Sequence, residues 1–292
     1  MGQHLVVAGD SWTFGSEIVD PKLGGKFKEW DSANNTYRIP RIWPTLFANK
    51  KSWNITNLSY PASSNDRILR TVESWLYENY LNDNKPTENL KLIVGWTSPE
   101  RKDFFYTDPL KHSVPGWTTI WPNQAHFDYI QPGMNEFFKQ YVTFLHDERE
   151  ANNRYVHQVK SLENLCKVYN IELCMFQAFY DVGSGIHNAN DSTKFKDIVN
   201  KEYINDDREK ERLGKNHPGY HWHYGNELTK SMWESVDEKR FYNKNKTPHT
   251  FFGWLKEQDT LDKVITGQHP NEYGHRLWAK EIEKFITENL GW

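Results

Sequence analysis

Leu5-Val6-Val7-Ala8-Gly9-Asp10-Ser11-Trp12-Thr13-Phe14-Gly15 is the stretch from which the fold can be read. The apolar run Leu5 to Ala8, rich in β-branched residues, predicts a short buried β-strand. A serine just beyond such a strand sits in a turn at its carboxyl end, the edge where open α/β sheets bind ligands. Gly9 and Gly15 permit a tight turn and the close approach of a substrate. Ser11 is therefore a candidate nucleophile. Gly-Asp-Ser after a strand is also ordinary turn chemistry, with Asp10 or Ser11 capping a helix. A second motif far along the chain, Gln268-His269-Pro270-Asn271 ahead of the last helix, favours the catalytic reading.

Working outward, strand and helix patterns alternate. Trp53 to Leu58 reads as a second strand, Leu90 to Gly95 as a third and Ile171 to Phe176 as a fourth. Residues 41–50 resemble a short helix. Ile68, Val72, Trp75 and Leu76 recur at helical spacing, which predicts an amphipathic helix over 66–81. Further helices are expected over about 135–170 and 272–289. Residues 16–38 and 100–134 read as loops. Residues 180–250 are polar and aromatic-studded, with helical patches near 195–212 and 226–238, and read as an insertion or cap. Alternating strands and helices imply a parallel sheet covered on both faces, in a single α/β domain over 1–292.

Composition narrows the function. Of 292 residues, 36 are Lys or Arg and 39 Asp or Glu, a formal net charge of −3. That balance gives no general attraction to nucleic acid or to an anionic membrane surface. Two cysteines, Cys166 and Cys174, fit small buried residues in a reducing compartment. The absence of a long apolar run and of a basic-leader signal peptide gives the expectation of a cytoplasmic protein. Aromatic residues make up 15% of the chain, with 13 tryptophans. Most are explained by the core, and the excess suits an aromatic-lined cleft for a ring-shaped polar ligand such as a sugar.

The loops after the first three strands, carrying Ser11, Ala62-Ser63-Ser64-Asn65 and Thr97, emerge at one edge of such a sheet, and His269 can reach it. Serine-based ester cleavage needs a base for the hydroxyl proton and donors for the oxyanion. This order of residues resembles the SGNH (GDSL-type) hydrolase family. Gly9 to Gly15 is similar to its first block, Asn57 to Asn65 to its second, Val94-Gly95-Trp96-Thr97 to its third, and Ile265 to Asn271 to its last, with Gly274 in the usual following place. The resemblance implies a three-layer α/β/α sandwich of flavodoxin-like type, with a parallel sheet of about five strands.

It also implies roles. Ser11 would attack the acyl carbon, and His269 would act as general base and then protonate the leaving alcohol. The oxyanion donors would be the backbone N–H groups of Ser11 and Ala62, together with Thr97 in place of the family's asparagine. The family's aspartate three residues before the histidine is Thr266 here, so a Ser–His dyad, a relocated acid, with Asp262 or Asp259 as candidates, or a weak or inactive enzyme is expected. Trp12, Trp96 and Arg101 are candidate substrate contacts. The substrate would be a small acyl ester, such as an O-acetyl group on a glycan, with no cofactor, no metal, no nucleic acid and no membrane partner. An acyltransferase using the same acyl-enzyme and a non-catalytic binding protein are the alternatives. The histidines at 217, 221 and 223 complete no recognised metal spacing.

Overall fold

In the computed structural model, residues 2–23, 31–106, 116–120, 148–178, 226–244 and 248–292 are described, with single positions at 137, 140, 141, 145, 146 and 246. Four strands form the central sheet: β1 (His4–Ala8), β2 (Asn54–Asn57), β3 (Leu90–Trp96) and β6 (Glu172–Gln177). Their order is β2-β1-β3-β6, and every pairing is parallel. β1 is central because Leu5 to Ala8 are apolar on both faces, as a doubly covered strand must be.

The alternation of side chains divides the core in two. Val6 and Ala8 of β1, Leu92 and Val94 of β3, and Leu173 and Met175 of β6 face one layer. Leu5 and Val7, Ile93, and Cys174 and Phe176 face the other. The first layer holds α3 (Asn65–Leu76), whose Ile68, Val72 and Leu76 are buried at helical spacing, and α4 (Glu148–Val168), which buries Tyr155, Val159, Leu162 and Cys166. It also holds α5 (Asn226–Glu234). The second layer holds α2 (Trp43–Lys51), α6 (Phe251–Gln258), the short α7 (Leu261–Val264) and α8 (Glu272–Leu290), joined through Trp43, Phe251, Val264 and Trp278. Phe251 and Trp278 stack with centroids 4.3 Å apart. The result is the three-layer α/β/α sandwich expected.

Two features differ from the expectation. The sheet has four strands among the described residues, where about five were expected. Next to β6 the chain makes two isolated parallel bridges, Met175 to Phe241 and Gln177 to Thr250, instead of a strand. Between those bridges lie Asn243 in the left-handed region and Pro248, which has no amide proton to give a ladder. Phe241 and Tyr242, expected in the insertion, are buried in the core. Residues 180–225, including the helical patch at 195–212 and the histidines at 217, 221 and 223, lie outside the described residues. Second, the expected loop after β3 contains an antiparallel hairpin, β4 (Lys102–Tyr106) with β5 (Gly116–Ile120). No helix among the described residues is long and apolar enough to cross a membrane.

Candidate active site

The first block folds as its residue types require. Asp10 caps the short helix α1 (Ser11–Phe14), its Oδ1 accepting the Trp12 N–H at 3.0 Å. Gly15, at φ +83°, closes the turn by donating its N–H to Ser11 O. Gly9 is required by crowding: a Cβ there would lie 2.4 Å from Thr13 Oγ1 and 3.1 Å from the Gly95 carbonyl. Ser11 is thereby held at the carboxyl edge of β1. As the first residue of a helix, its N–H has no intrahelical acceptor.

The second and third blocks are bonded to the first. Tyr60 N–H donates to Gly9 O. Ala62 sits at φ 57°, the left-handed conformation that glycine adopts without cost. Asn65, which caps no chemistry by itself, clamps the third block. Its Oδ1 accepts from Thr97 N at 2.8 Å, and its Nδ2 donates to Thr97 O at 3.0 Å. Thr97 Oγ1 donates to Asp10 Oδ2 at 2.7 Å, and Thr97 is fully buried. This corrects the expectation that the Thr97 hydroxyl faces substrate as an oxyanion donor: it is committed to Asp10. Trp96 is corrected likewise. It is fully buried in the core against Tyr155, so it is no substrate contact. β3 alternation places it on the α3–α4 side.

Arg101 follows the third block and reaches back over the site. Its Nη1 donates to Ser63 O at 3.1 Å and lies 3.4 Å from Asp10 Oδ2. Burial pushes the Asp10 carboxyl above the ordinary aspartate range. Arg101, the Thr97 hydroxyl and the Trp12 N–H act in the opposite direction. Burial also lowers the Arg101 guanidinium, which Asp10 opposes.

His269 comes from the two-strand hairpin β7 (Ile265–Thr266) with β8 (His269–Pro270), which precedes α8. Asn271 caps α8 by accepting from the Tyr273 and Gly274 N–H groups, both at 3.0 Å. The glycine after the histidine block has a steric cause: a Cβ on Gly274 would lie 2.4 Å from Val264 O. Ser11, Trp12, Arg101, Phe252, Asp262 and His269 line one open cleft of about 830 Å³. Trp12 forms its apolar wall, edge-to-face with Phe251 and Phe252, with its ring centroid 6.5 Å from that of His269. No hydrogen bond joins Ser11 Oγ to His269 among the described residues.

Neither expected acid meets the imidazole. Asp259 pairs with Lys263 at 3.0 Å outside the cleft. Asp262 lines the cleft, and no bond joins it to His269 among the described residues. The carboxylate beside His269 is Glu17, whose Oε1 lies 3.3 Å from Nδ1. Glu17 is not legible in the sequence, because residues 16–38 carry no apolar period and nothing local links it to a hairpin some 250 residues on. A faint signal was available: it lies just after the first block, so it had to stay near Ser11. Among the described residues, no cluster of three or more His, Cys, Asp or Glu side chains is arranged to hold a metal.

The family model described as "Family of unknown function (DUF6071)" matches residues 25–211, more than half of the chain. The chain belongs to this DUF6071 family. The matched segment contains the second and third blocks and reaches neither Ser11 nor His269. No relative is found among the curated proteins. Similar solved structures include a lipolytic protein of the G-D-S-L family from Veillonella parvula, at 13% identity and TM-score 0.45, covering 98% of this chain and 99% of that one. An acetylxylan esterase from Geobacillus stearothermophilus is 12% identical, with TM-score 0.41 over 98% of this chain and 94% of its own. The psychrotrophic esterase EstA from Pseudoalteromonas sp. is 10% identical, with TM-score 0.41 over 99% and 100%.

Proposed function

We propose that this DUF6071 protein is a serine esterase that cleaves small acyl esters. The observation that carries the reading is the convergence of Ser11 and His269, from opposite ends of the chain, on one cleft at the carboxyl edge of a parallel sheet. His269 Nε2 takes the Ser11 Oγ proton as Oγ attacks the acyl carbon, and returns it to the departing alcohol. Water then hydrolyses the acyl-enzyme by the same proton path. The main-chain N–H groups of Ser11 and Ala62 serve as oxyanion donors. With Thr97 turned to Asp10, this oxyanion hole relies on backbone donors.

Trp12 and Phe252 supply an apolar wall, and Arg101 a cation, which suits a small acyl group on a polar alcohol. An O-acetylated sugar fits this description, since rings stack on indole faces and hydroxyls accept from guanidinium. The test is labelling by a fluorophosphonate and turnover of p-nitrophenyl acetate and acetylated sugars. Wild type should label and turn over. Ser11→Ala and His269→Ala should each lose at least about 1,000-fold in turnover. Turnover undiminished in Ser11→Ala, or a well-folded wild type that neither labels nor hydrolyses, refutes the proposal.

A further inference from the structure

Glu17 occupies a position that the chain is built to give it. Its backbone is at φ 67°, a left-handed conformation uncommon for a residue with a side chain. Such outliers cluster where surrounding structure over-determines a functional group. The carboxylate crosses to the β7–β8 turn. There Oε2 accepts the Gln268 N–H at 3.1 Å, and Oε1 lies 3.3 Å from His269 Nδ1, an ion-pair contact without hydrogen-bond alignment. The seat exists because residue 267 is glycine. A Cβ on Gly267 would lie 2.5 Å and 2.7 Å from the two carboxylate oxygens, and Gly267 itself is at φ +58°. Thr266, where the resemblance calls for an acid, pairs with His269 across the hairpin and is exposed.

We infer that Glu17 is the carboxylate that orients His269, a positioning residue supplied from just after the first block in place of the missing acid at 266. The inference rests on the esterase reading for its chemical meaning, though its geometry does not. An ionised carboxylate only accepts, so its charge beside Nδ1 favours the tautomer with the proton there and leaves Nε2 free as base. When Nε2 takes the Ser11 proton, the imidazolium faces the Glu17 charge. The proton goes on from Nε2 to the leaving alcohol. Among the described residues, the other charged or titratable groups around His269 are Asp10, Arg101, Asp262 and His275. Of these, Asp10 is tied to Trp12, Thr97 and Arg101, and His275 faces Trp43.

The test compares wild type with Glu17→Gln and Gly267→Ala in the full chain. Gln can still accept from Gln268 N–H, but it can also donate to Nδ1, so it favours the wrong tautomer. Nitrogen-15 NMR of the imidazole in mildly alkaline solution reads the tautomer without any substrate. Wild type should show the proton on Nδ1, and Glu17→Gln should lose that preference. In ester turnover, Glu17→Gln should lower kcat by about 100- to 10,000-fold with KM nearly unchanged, as when the acid of a triad is made an amide. Gly267→Ala, which evicts the carboxylate, should do the same. An unchanged tautomer in Glu17→Gln, or unchanged kcat where Ser11→Ala and His269→Ala are inactive, overturns the inference. A wild type without turnover whose tautomer nonetheless depends on Glu17 supports the inference and refutes the esterase reading alone.

Discussion

His275 should make the protein lose stability as the pH falls below 7. It is fully buried in the first turns of α8, and its Nδ1 accepts the Trp43 N–H at 3.2 Å. That N–H opens α2 and has no intrahelical acceptor, so the imidazole satisfies an orphan donor. Protonation would set two donors against each other in a dry site. Burial, reinforced by His269 and Arg38, pushes the His275 pKa down to about 3. The unfolded chain protonates this histidine near pH 6.5. The unfolded state therefore binds the extra proton first, and stability rises with pH across this window.

At about 1.36 kcal/mol per pH unit, the contribution lost between pH 7 and pH 5 is roughly 2 kcal/mol. The loss continues towards about pH 3, where the folded form also protonates. The assay is urea unfolding at pH 7, 6 and 5, for wild type and His275→Asn. The asparagine Oδ1 can still accept from Trp43 but does not titrate. The variant should start less stable and lose about 2 kcal/mol less between pH 7 and 5 than wild type. Parallel curves for the two proteins would refute the reasoning.

Three further outcomes follow from the site. Ala62→Gly relieves a left-handed alanine costing about 1–2 kcal/mol but adds about 0.4–1 kcal/mol of unfolded-chain entropy. A net gain of about 0.5 kcal/mol in urea unfolding is expected, and a clear loss would show that the Ala62 backbone is unstrained. Asp10→Ala removes the cap of α1, the acceptor of the Thr97 hydroxyl and the carboxylate beside buried Arg101. It should cost about 3–5 kcal/mol, and adding Arg101→Met should recover part of that by thermal unfolding. Gly274→Ala meets the Val264 carbonyl, so a loss of about 1–3 kcal/mol in urea unfolding is expected. Wild-type stability there would contradict the close approach.

By itself the sequence determined the four strands of the central sheet and the helices α2, α3, α4 and α8, whereas α6 (Phe251–Gln258) was not legible in it. β-branched runs and the 3.6-residue period of Ile68, Val72 and Leu76 are local signals, because burial on one face is imprinted on consecutive residues. Ser11 and His269 stood out for the same reason: each lies in a short motif at an element end. The hairpin β4–β5 was hidden, since a run rich in Trp, His and Pro shows no clean alternation. What only the tertiary structure decided was direction and partnership. Thr97 looked like a donor to substrate until its hydroxyl was found on Asp10, and Trp96 looked like a cleft residue until the β3 register turned it into the core. Asp259 and Asp262 were near His269 in sequence, yet Glu17, from the far end of the chain, supplies the carboxylate beside it. Which side chain meets which depends on the register of β1 against β3 and the turn at Gly267, and such long-range geometry leaves no period in the chain.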